Sequence, residues 1–240
     1  MSGHSKWHNI QRAKEKTDAQ KGKIFTKIGR ELAVSVKAGG SDPATNSRLF
    51  DAIAKAKQSN MPADGITRAI KKASGELFNI NYEETMYEGY GIGGSAVMVK
   101  CLTDNKNRTA GDIRHLFDKY GGGLGATNCV SYLFKHKGII FVEKTLGMNV
   151  DDFMMLALEY NAVDVNEEDE VLVVETESSK LQSTIKGLSN CNILESKLDY
   201  LPDVYITLDD DKKATFEKML EKLEELDDVQ DVFHNVILNE

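Results

Sequence analysis

The order of apolar patterns in residues 138–199 most restricts the fold of this chain. Strand-length apolar runs and helix-period segments follow one another there as strand, helix, strand, strand, helix, strand. The helical segments span residues 150–160 and 178–188, and the two middle strands flank the acidic turn at residues 167–169. This βαββαβ order is that of the ferredoxin-like arrangement. We therefore predict a complete α+β domain at residues 137–202.

Shorter patterns of the same kind lie on both sides of that domain. Before it, we predict a strand at residues 95–103, a helix at 109–120 and a strand at 129–134. After it, we predict a strand at residues 204–208, a helix at 212–226 and a strand at 229–236. The two βαβ halves together predict a second ferredoxin-like domain, split over residues 77–136 and 203–240, into which the first domain is inserted.

The sequence of residues 1–76 predicts a basic arm followed by a three-helix domain. Ile24, Ile28, Leu32 and Val36 have the spacing of an amphipathic helix over residues 18–37. Two glycines end this helix, and Ser41-Asp42-Pro43 supplies a cap and a first-turn proline for the second, which runs to about Ser59. A third helix begins at Pro62. The predicted fold class is α+β multidomain: a three-helix domain plus two ferredoxin-like βαββαβ domains, one inserted in the other.

The charges of the chain are divided unevenly along its length. Residues 1–75 hold 15 Lys or Arg and 6 Asp or Glu, a net charge of +9, whereas residues 76–240 hold 15 and 32, a net charge of −17. A basic segment in an otherwise acidic chain indicates a polyanionic partner for that segment.

The basic segment combines cations with side chains that recognise nucleotides. Lys23, Lys27 and Arg30 fall on one arc of the first predicted helix, opposite its apolar face. In the arm, cations alternate with an indole, an imidazole and amides, which stack on bases or hydrogen-bond to them. An ordinary solvated lysine-rich face is the alternative. The predicted nucleic-acid-binding residues are Lys6, Trp7, His8, Asn9, Arg12, Lys14, Lys16, Lys21, Lys23, Lys27, Arg30, Arg68, Lys71 and Lys72.

A polar loop at residues 104–109 is a candidate for a second contact surface. It joins a predicted strand to a predicted helix and places an arginine among amides. The alternative is a plain turn whose Asn and Asp residues form the turn and the helix cap. The residues concerned are Asp104, Asn105, Asn107, Arg108 and Thr109.

The sequence offers no convincing active site. The glycines of residues 89–94 precede a strand, whereas a dinucleotide-binding loop must follow one, so they predict a tight turn. Three cysteines without a CxxC pair predict neither a disulfide framework nor a zinc site, and His4 and His8 have no third ligand nearby. We expect no enzyme activity, no cofactor and no metal. Because neither a signal peptide nor a membrane-spanning run is evident, we expect a cytoplasmic protein, with a monomer favoured.

Three long segments carry a resemblance to a known family. They are GHSKWHNIQRAKEKTDAQKGKIFTKIGREL, NMPADGITRAIKK and YEGYGIGGSAVMVKCLTDNKNRTAGDIRHLFDKYGG. This chain resembles the YebC family in them, densely from Gly3 to about Gly138 and more weakly to the C-terminus. The resemblance implies a three-domain, cofactor-free cytoplasmic protein. Most such proteins are labelled probable transcriptional regulators, and some are translational activators that work with ribosomes.

These observations favour a non-enzymatic nucleic-acid-binding regulator of gene expression. Its target is open between duplex DNA, which the family label implies, and ribosomal RNA, which the translation-linked members imply and which suits the Trp-containing arm. Two other classes stay open as alternatives. One is a protein-interaction module without nucleic-acid binding, and the other is an enzyme that uses the glycine turn and the Asp104 loop.

Overall fold

The computed structural model describes residues 18–75, 80–168 and 170–238. Within those ranges the helices are α1 (Asp18–Gly39), α2 (Ser47–Gln58), α3 (Ala63–Ser74), α4 (Lys106–Lys119), α5 (Val150–Glu159), α6 (Leu181–Gly187) and α7 (Asp210–Glu225). The strands are β1 (Glu83–Tyr90), β2 (Ala96–Thr103), β3 (Gly123–Leu124), β4 (Phe134–Glu143), β5 (Ala162–Glu167), β6 (Val171–Glu177), β7 (Ile193–Pro202) and β8 (Val229–His234). None of the helices in the described ranges is both long enough and apolar enough to cross a bilayer.

The chain folds into two units, and the first contains the three N-terminal helices and a four-stranded antiparallel sheet. Its described residues are 18–75, 80–130 and 209–234. The apolar positions predicted for the helices form their shared core, in which Leu32 of α1 and Leu49 and Ala56 of α2 are fully enclosed. The three predicted helices are therefore confirmed.

The start of the second helix differs from the prediction. Asn46, and not the Ser41-Asp42-Pro43 segment, is its N-cap, because the buried Asn46 side chain accepts a hydrogen bond from the Leu49 N–H at 3.1 Å. Its amide also donates to the carbonyls of Ser35 and Gly40 at 2.7 and 2.8 Å. One side chain thus satisfies backbone groups at the end of α1 and at the start of α2.

The first sheet has the strand order β3-β1-β2-β8, and all its neighbouring strands are antiparallel. Strands β1 and β2 form a hairpin, and the glycines predicted to form a tight turn connect them. Gly93 and Gly94 have φ values of +68° and +78° there, in the left-handed region that favours glycine. Strand β1 itself was not predicted, because its sequence EETMYEGY lacks an apolar alternation.

Two predicted strands of this sheet are wrong. Within residues 129–134, only Phe134 lies in a strand, and that strand is β4 of the other sheet. The buried Glu88 carboxylate instead accepts hydrogen bonds from the N–H groups of Asn128 and Val130, which removes these donors from a β ladder. In residues 204–208 only Ile206 pairs, in an isolated bridge to Val236.

The second unit contains the segment predicted to be an inserted domain, and its described residues are 131–168, 170–208 and 235–238. Its elements follow the predicted βαββαβ order, and its antiparallel sheet has the strand order β5-β6-β4-β7. Helices α5 and α6 pack onto this sheet over a core that includes Ile140, Phe153, Leu172 and Leu188. The predicted fold class is confirmed: the protein is α+β, with an N-terminal helical region and two four-stranded antiparallel sheets.

Candidate nucleic-acid interface

The basic arm lies outside the described residues. The predicted contact residues in it are Lys6, Trp7, His8, Asn9, Arg12, Lys14 and Lys16. The described part of the candidate interface therefore begins with the basic face of α1, on which Lys21 is exposed.

Two lysines of α1 contact the C-terminal end of α7. The Lys23 ammonium donates to the Glu225 carbonyl at 3.4 Å, and the Lys27 ammonium donates to the Glu224 carbonyl at 2.7 Å. The last carbonyls of a helix lack partners within the helix and form the negative end of its dipole. Lys23 and Lys27 therefore supply donors and positive charge where α7 requires them.

The third cation of this face, Arg30, makes an ion pair inside the protein. Its guanidinium donates to Asp228 Oδ1 and, at 3.2 Å, to the Leu102 carbonyl. It also lies over the Tyr82 ring, 5.4 Å from the centroid. The Arg30 side chain is 16% exposed and that of Asp228 is 9% exposed. Arg30 is therefore a structural cation that connects α1 to the turn before β8.

Asp228 also accepts hydrogen bonds from side chains of strand β2 and helix α4. Its Oδ2 accepts from the Thr103 and Thr109 hydroxyls at 3.1 and 2.7 Å, and from Arg108 Nη2 at 2.7 Å. Burial by itself raises the pKa of this carboxyl, but the hydrogen bonds from Arg108, Thr109 and Arg30 outweigh burial and lower the pKa to about 2. Asp228 is therefore an ionised acceptor at neutral pH.

The Asp104–Thr109 loop supplies both the cap and the first turn of α4. The Asn105 side chain accepts from the Arg108 N–H at 3.1 Å, and Thr109 is buried. Hydrogen bonds to Asp228 and to Asp104, the latter at 2.8 Å, raise the pKa of Arg108. Within the loop, Asp104, Asn105, Asn107 and Arg108 are exposed to solvent.

The structure thus brings together residues from both predicted surfaces. Arg30 and the Arg108–Thr109 turn meet at Asp228 beside a cleft of about 320 Å³. Two arginines and four aspartates line this cleft, so its charge does not suit a polyanion. The lining residues are Arg30, Asp104, Arg108, Thr109, Asp112, Leu226, Asp227 and Asp228. No sequence pattern predicts the role of Asp228, since an acidic pair before a strand does not reveal its partners.

Helix α3 presents the remaining predicted cations to solvent. It buries Ile66 and Ala73, and Arg68, Lys71 and Lys72 are exposed at a spacing of three and four residues. Arg68 is bonded to Asp64 at 2.7 Å, an exposed pair of the kind that contributes little stability. Within the described part of the chain, the ammonium groups of Lys71 and Lys72 have no ion-pair or hydrogen-bond partner.

Lys57, near the end of α2, is also exposed and unpartnered among the described side chains, and sequence reasoning missed it. Its position in the AKAKQ segment, the last turn of α2, is the sequence feature that marks it as a basic residue at a helix end. Its neighbour Lys55 is different, because it pairs with Glu31 at 3.0 Å.

Comparison with known proteins identifies the relatives of this chain. The family model described as TACO1/YebC protein N-terminal domain matches residues 5–76, and the model described as TACO1/YebC second and third domain matches residues 82–236. A crystal structure of a conserved hypothetical protein from Aquifex aeolicus is 42% identical, has a TM-score of 0.81 and covers 94% of this chain and 93% of that one.

Similar proteins also match over nearly their full length. A probable transcriptional regulatory protein of Hathewaya histolytica is 52% identical over 237 residues, covering 98% of this chain and 96% of the relative. One from Acetivibrio thermocellus is 53% identical over 238 residues, covering 98% of each chain. One from Clostridium novyi is 54% identical over 237 residues, covering 98% of this chain and 96% of the relative. The chain belongs to the TACO1/YebC family.

Proposed function

We propose that this protein is a non-enzymatic, nucleic-acid-binding regulator of gene expression that works in the cytoplasm as a monomer. The observation that carries the proposal is the α3 basic face, defined as Arg68, Lys71 and Lys72. These cations are exposed on one helix, and the two lysines are not engaged by carboxylates of the described chain. Phosphate contacts from such side chains supply most of the affinity of non-specific nucleic-acid binding.

The contact surface we propose is smaller than the one that charge alone suggests. Lys23, Lys27 and Arg30 already serve contacts within the protein, so we assign them to stability. The α3 basic face and Lys57 then form the described part of the surface, and the arm residues predicted from the sequence are its remaining candidates. The acidic remainder of the chain repels phosphates and limits binding to this region.

The titratable groups near the cleft support a non-enzymatic role. General acids and bases work best when their pKa lies near the working pH. The pKa of Asp228 is instead lowered to about 2. Burial, with a smaller contribution from the Asp228 charge, raises the pKa of the Cys101 thiol to about 12, so this thiol is a poor nucleophile.

Two further observations bear on whether the target is DNA or RNA. The relatives are named probable transcriptional regulatory proteins, which favours duplex DNA as the ligand and transcription as the process regulated. The arm, with Trp7 among cations and amides, favours a folded RNA instead, as in a ribosome-associated translation factor. Both ligands therefore belong in the experiment.

The test is a fluorescence-anisotropy titration of the full chain with a labelled DNA duplex and with a labelled RNA hairpin. We expect Arg68→Gln/Lys71→Gln/Lys72→Gln to bind the preferred ligand about tenfold or more weakly than the wild type. The matched control is Lys180→Gln/Lys186→Gln/Lys218→Gln, which changes the net charge equally at exposed positions outside the basic region. Equal losses in the two variants, or no binding of either ligand by the wild type, would contradict the proposal.

A further inference from the structure

The solvent face of helix α5 carries apolar side chains. Met155 and Leu158 lie there, three residues apart, and expose 64% and 55% of their surface. The opposite face of the helix places Phe153 and Ala157 in the core of the second unit. A helix that buries one stripe normally shows polar residues on the other. A contiguous exposed apolar patch rimmed by polar residues indicates a contact with another molecule, whereas single exposed apolar residues do not.

The surroundings of this apolar pair are acidic. Asp151 and Asp152 in the first turn of α5 and Glu159 at its end are exposed, and no cation among the described side chains is bonded to their carboxylates. Residues 145–179 contain ten Asp or Glu and no Lys, Arg or His. The negative charge around Met155 and Leu158 is therefore not balanced by nearby cations of the same segment.

We propose that this surface, the α5 face (Asp151, Asp152, Met155, Leu158 and Glu159), binds a basic amphipathic helix of a partner protein. Apolar residues of the partner pack between Met155 and Leu158, which are one helical turn apart, as ridges into grooves. The unbranched thioether of Met155 adapts to different apolar partners. Lysines or arginines beside that apolar stripe reach the three carboxylates, which select a basic helix over an acidic one.

The same charges exclude two other occupants of this surface. Nucleic acid is repelled by the carboxylates of Asp151, Asp152 and Glu159. A second copy of this chain that docked its own α5 face here by two-fold symmetry would place like charges opposite one another. A cationic protein segment is the occupant that satisfies both the apolar and the charged part of the surface.

The probe for this proposal is a synthetic labelled helix, LKKLLKLLKKLLKL, with LEELLELLEELLEL as its acidic counterpart. In an anisotropy titration, we expect the wild type to bind the basic peptide saturably and about tenfold or more tightly than the acidic one. We expect both Met155→Ser/Leu158→Ser and Asp151→Asn/Asp152→Asn to weaken this binding about fivefold or more, because each removes one of its two components. The changed side chains are exposed, and circular dichroism checks that each variant is folded.

Two controls make the result specific to the α5 face. Leu198→Ser/Val204→Ser removes exposed apolar side chains elsewhere in the same unit, and Asp210→Asn/Asp211→Asn removes the equivalent first-turn carboxylates of α7. Both controls should bind the basic peptide like the wild type. The proposal is overturned if the controls lose as much affinity as the α5 variants, if the α5 variants lose none, or if the two peptides bind alike. DNA and RNA binding by the α5 variants should be unchanged, which separates this proposal from the proposed function.

Discussion

Arg30 and Asp228 lie 198 residues apart in the chain and form an ion pair in which both side chains are largely buried. The pair joins helix α1 to the turn between α7 and β8. Arg108 and Thr109 of α4 donate to the second oxygen of the same carboxylate. The Asp228 side chain thus joins its own turn to helices α1 and α4, which are both distant from it in the sequence.

The first prediction concerns the removal of that charge. Asp228→Asn leaves Arg30 and Arg108 without their shared carboxylate, so we expect the free energy of unfolding to fall by about 2–3 kcal/mol. Urea unfolding followed by circular dichroism measures this loss as a lower midpoint. Asp227→Asn is the matched control, since its exposed side chain has no partner among the described residues, and it should change stability by less than about 0.5 kcal/mol. Equal effects of the two substitutions would show that the Asp228 network contributes nothing.

The second prediction concerns pH. The folded-state pKa of Asp228 is lowered from 3.8 to about 2, so the folded protein binds fewer protons than the unfolded chain in this range. The stabilisation is therefore present above about pH 4 and is lost as the pH falls towards 2. The stability difference between wild type and Asp228→Asn should be constant from pH 7 to pH 5 and narrow below about pH 4. A difference that stays constant down to pH 2.5 would contradict this reading of Asp228.

The third prediction separates structural from ligand-binding cations. Lys23→Gln/Lys27→Gln removes two donors from the C-terminal end of α7 and should cost about 0.5–1 kcal/mol of stability, less at high salt. Nucleic-acid affinity should fall much less in this variant than in the α3 triple variant. Thermal unfolding at two salt concentrations and the anisotropy titration measure the two effects. A larger loss of affinity than in the α3 variant would move the binding surface to α1.

The fourth prediction concerns Glu88. Its buried carboxylate accepts from the Asn128 and Val130 N–H groups, and Glu88→Ala leaves both donors without this acceptor. We expect a loss of about 2–3 kcal/mol and faster amide hydrogen exchange at both positions. Glu88→Gln keeps one acceptor oxygen and should cost less. Unchanged exchange rates at Asn128 and Val130 in Glu88→Ala would disprove this role.

Local patterns in the sequence were sufficient to predict most elements of the fold. The spacing of Ile28, Leu32 and Val36 predicts the buried face of α1, and the apolar runs of residues 138–199 predict the strands and helices of that segment in their correct order. The error at residues 129–134 arose because an apolar run resembles a strand whether or not its N–H groups are free to pair. Glu88, far away in the sequence, accepts from the Val130 N–H in this run and from the Asn128 N–H just before it.

The candidate site was less predictable than the fold, because its contacts also join residues that are far apart in the sequence. Helix periodicity shows that Arg30 lies opposite the apolar face of α1, but it cannot show that Asp228 is folded against it. Lys71 and Lys72 were predicted in the same way, from their place opposite the apolar face of α3. Their ammonium groups have no partner among the described residues, so their charges stay exposed. The boundaries of three domains, at residues 1–76, 77–136 with 203–240, and 137–202, stay a prediction.

The salt dependence of nucleic-acid affinity tests the central claim most directly, because each phosphate contact contributes about 0.9 to the slope of log K against log salt concentration on duplex DNA, and about 0.7 on single strands. We predict that Arg68→Gln/Lys71→Gln/Lys72→Gln lowers the magnitude of the wild-type slope by about two to three such contacts, while Lys180→Gln/Lys186→Gln/Lys218→Gln leaves it unchanged. A slope that is the same in the wild type and the α3 variant would show that the α3 basic face does not contact phosphates.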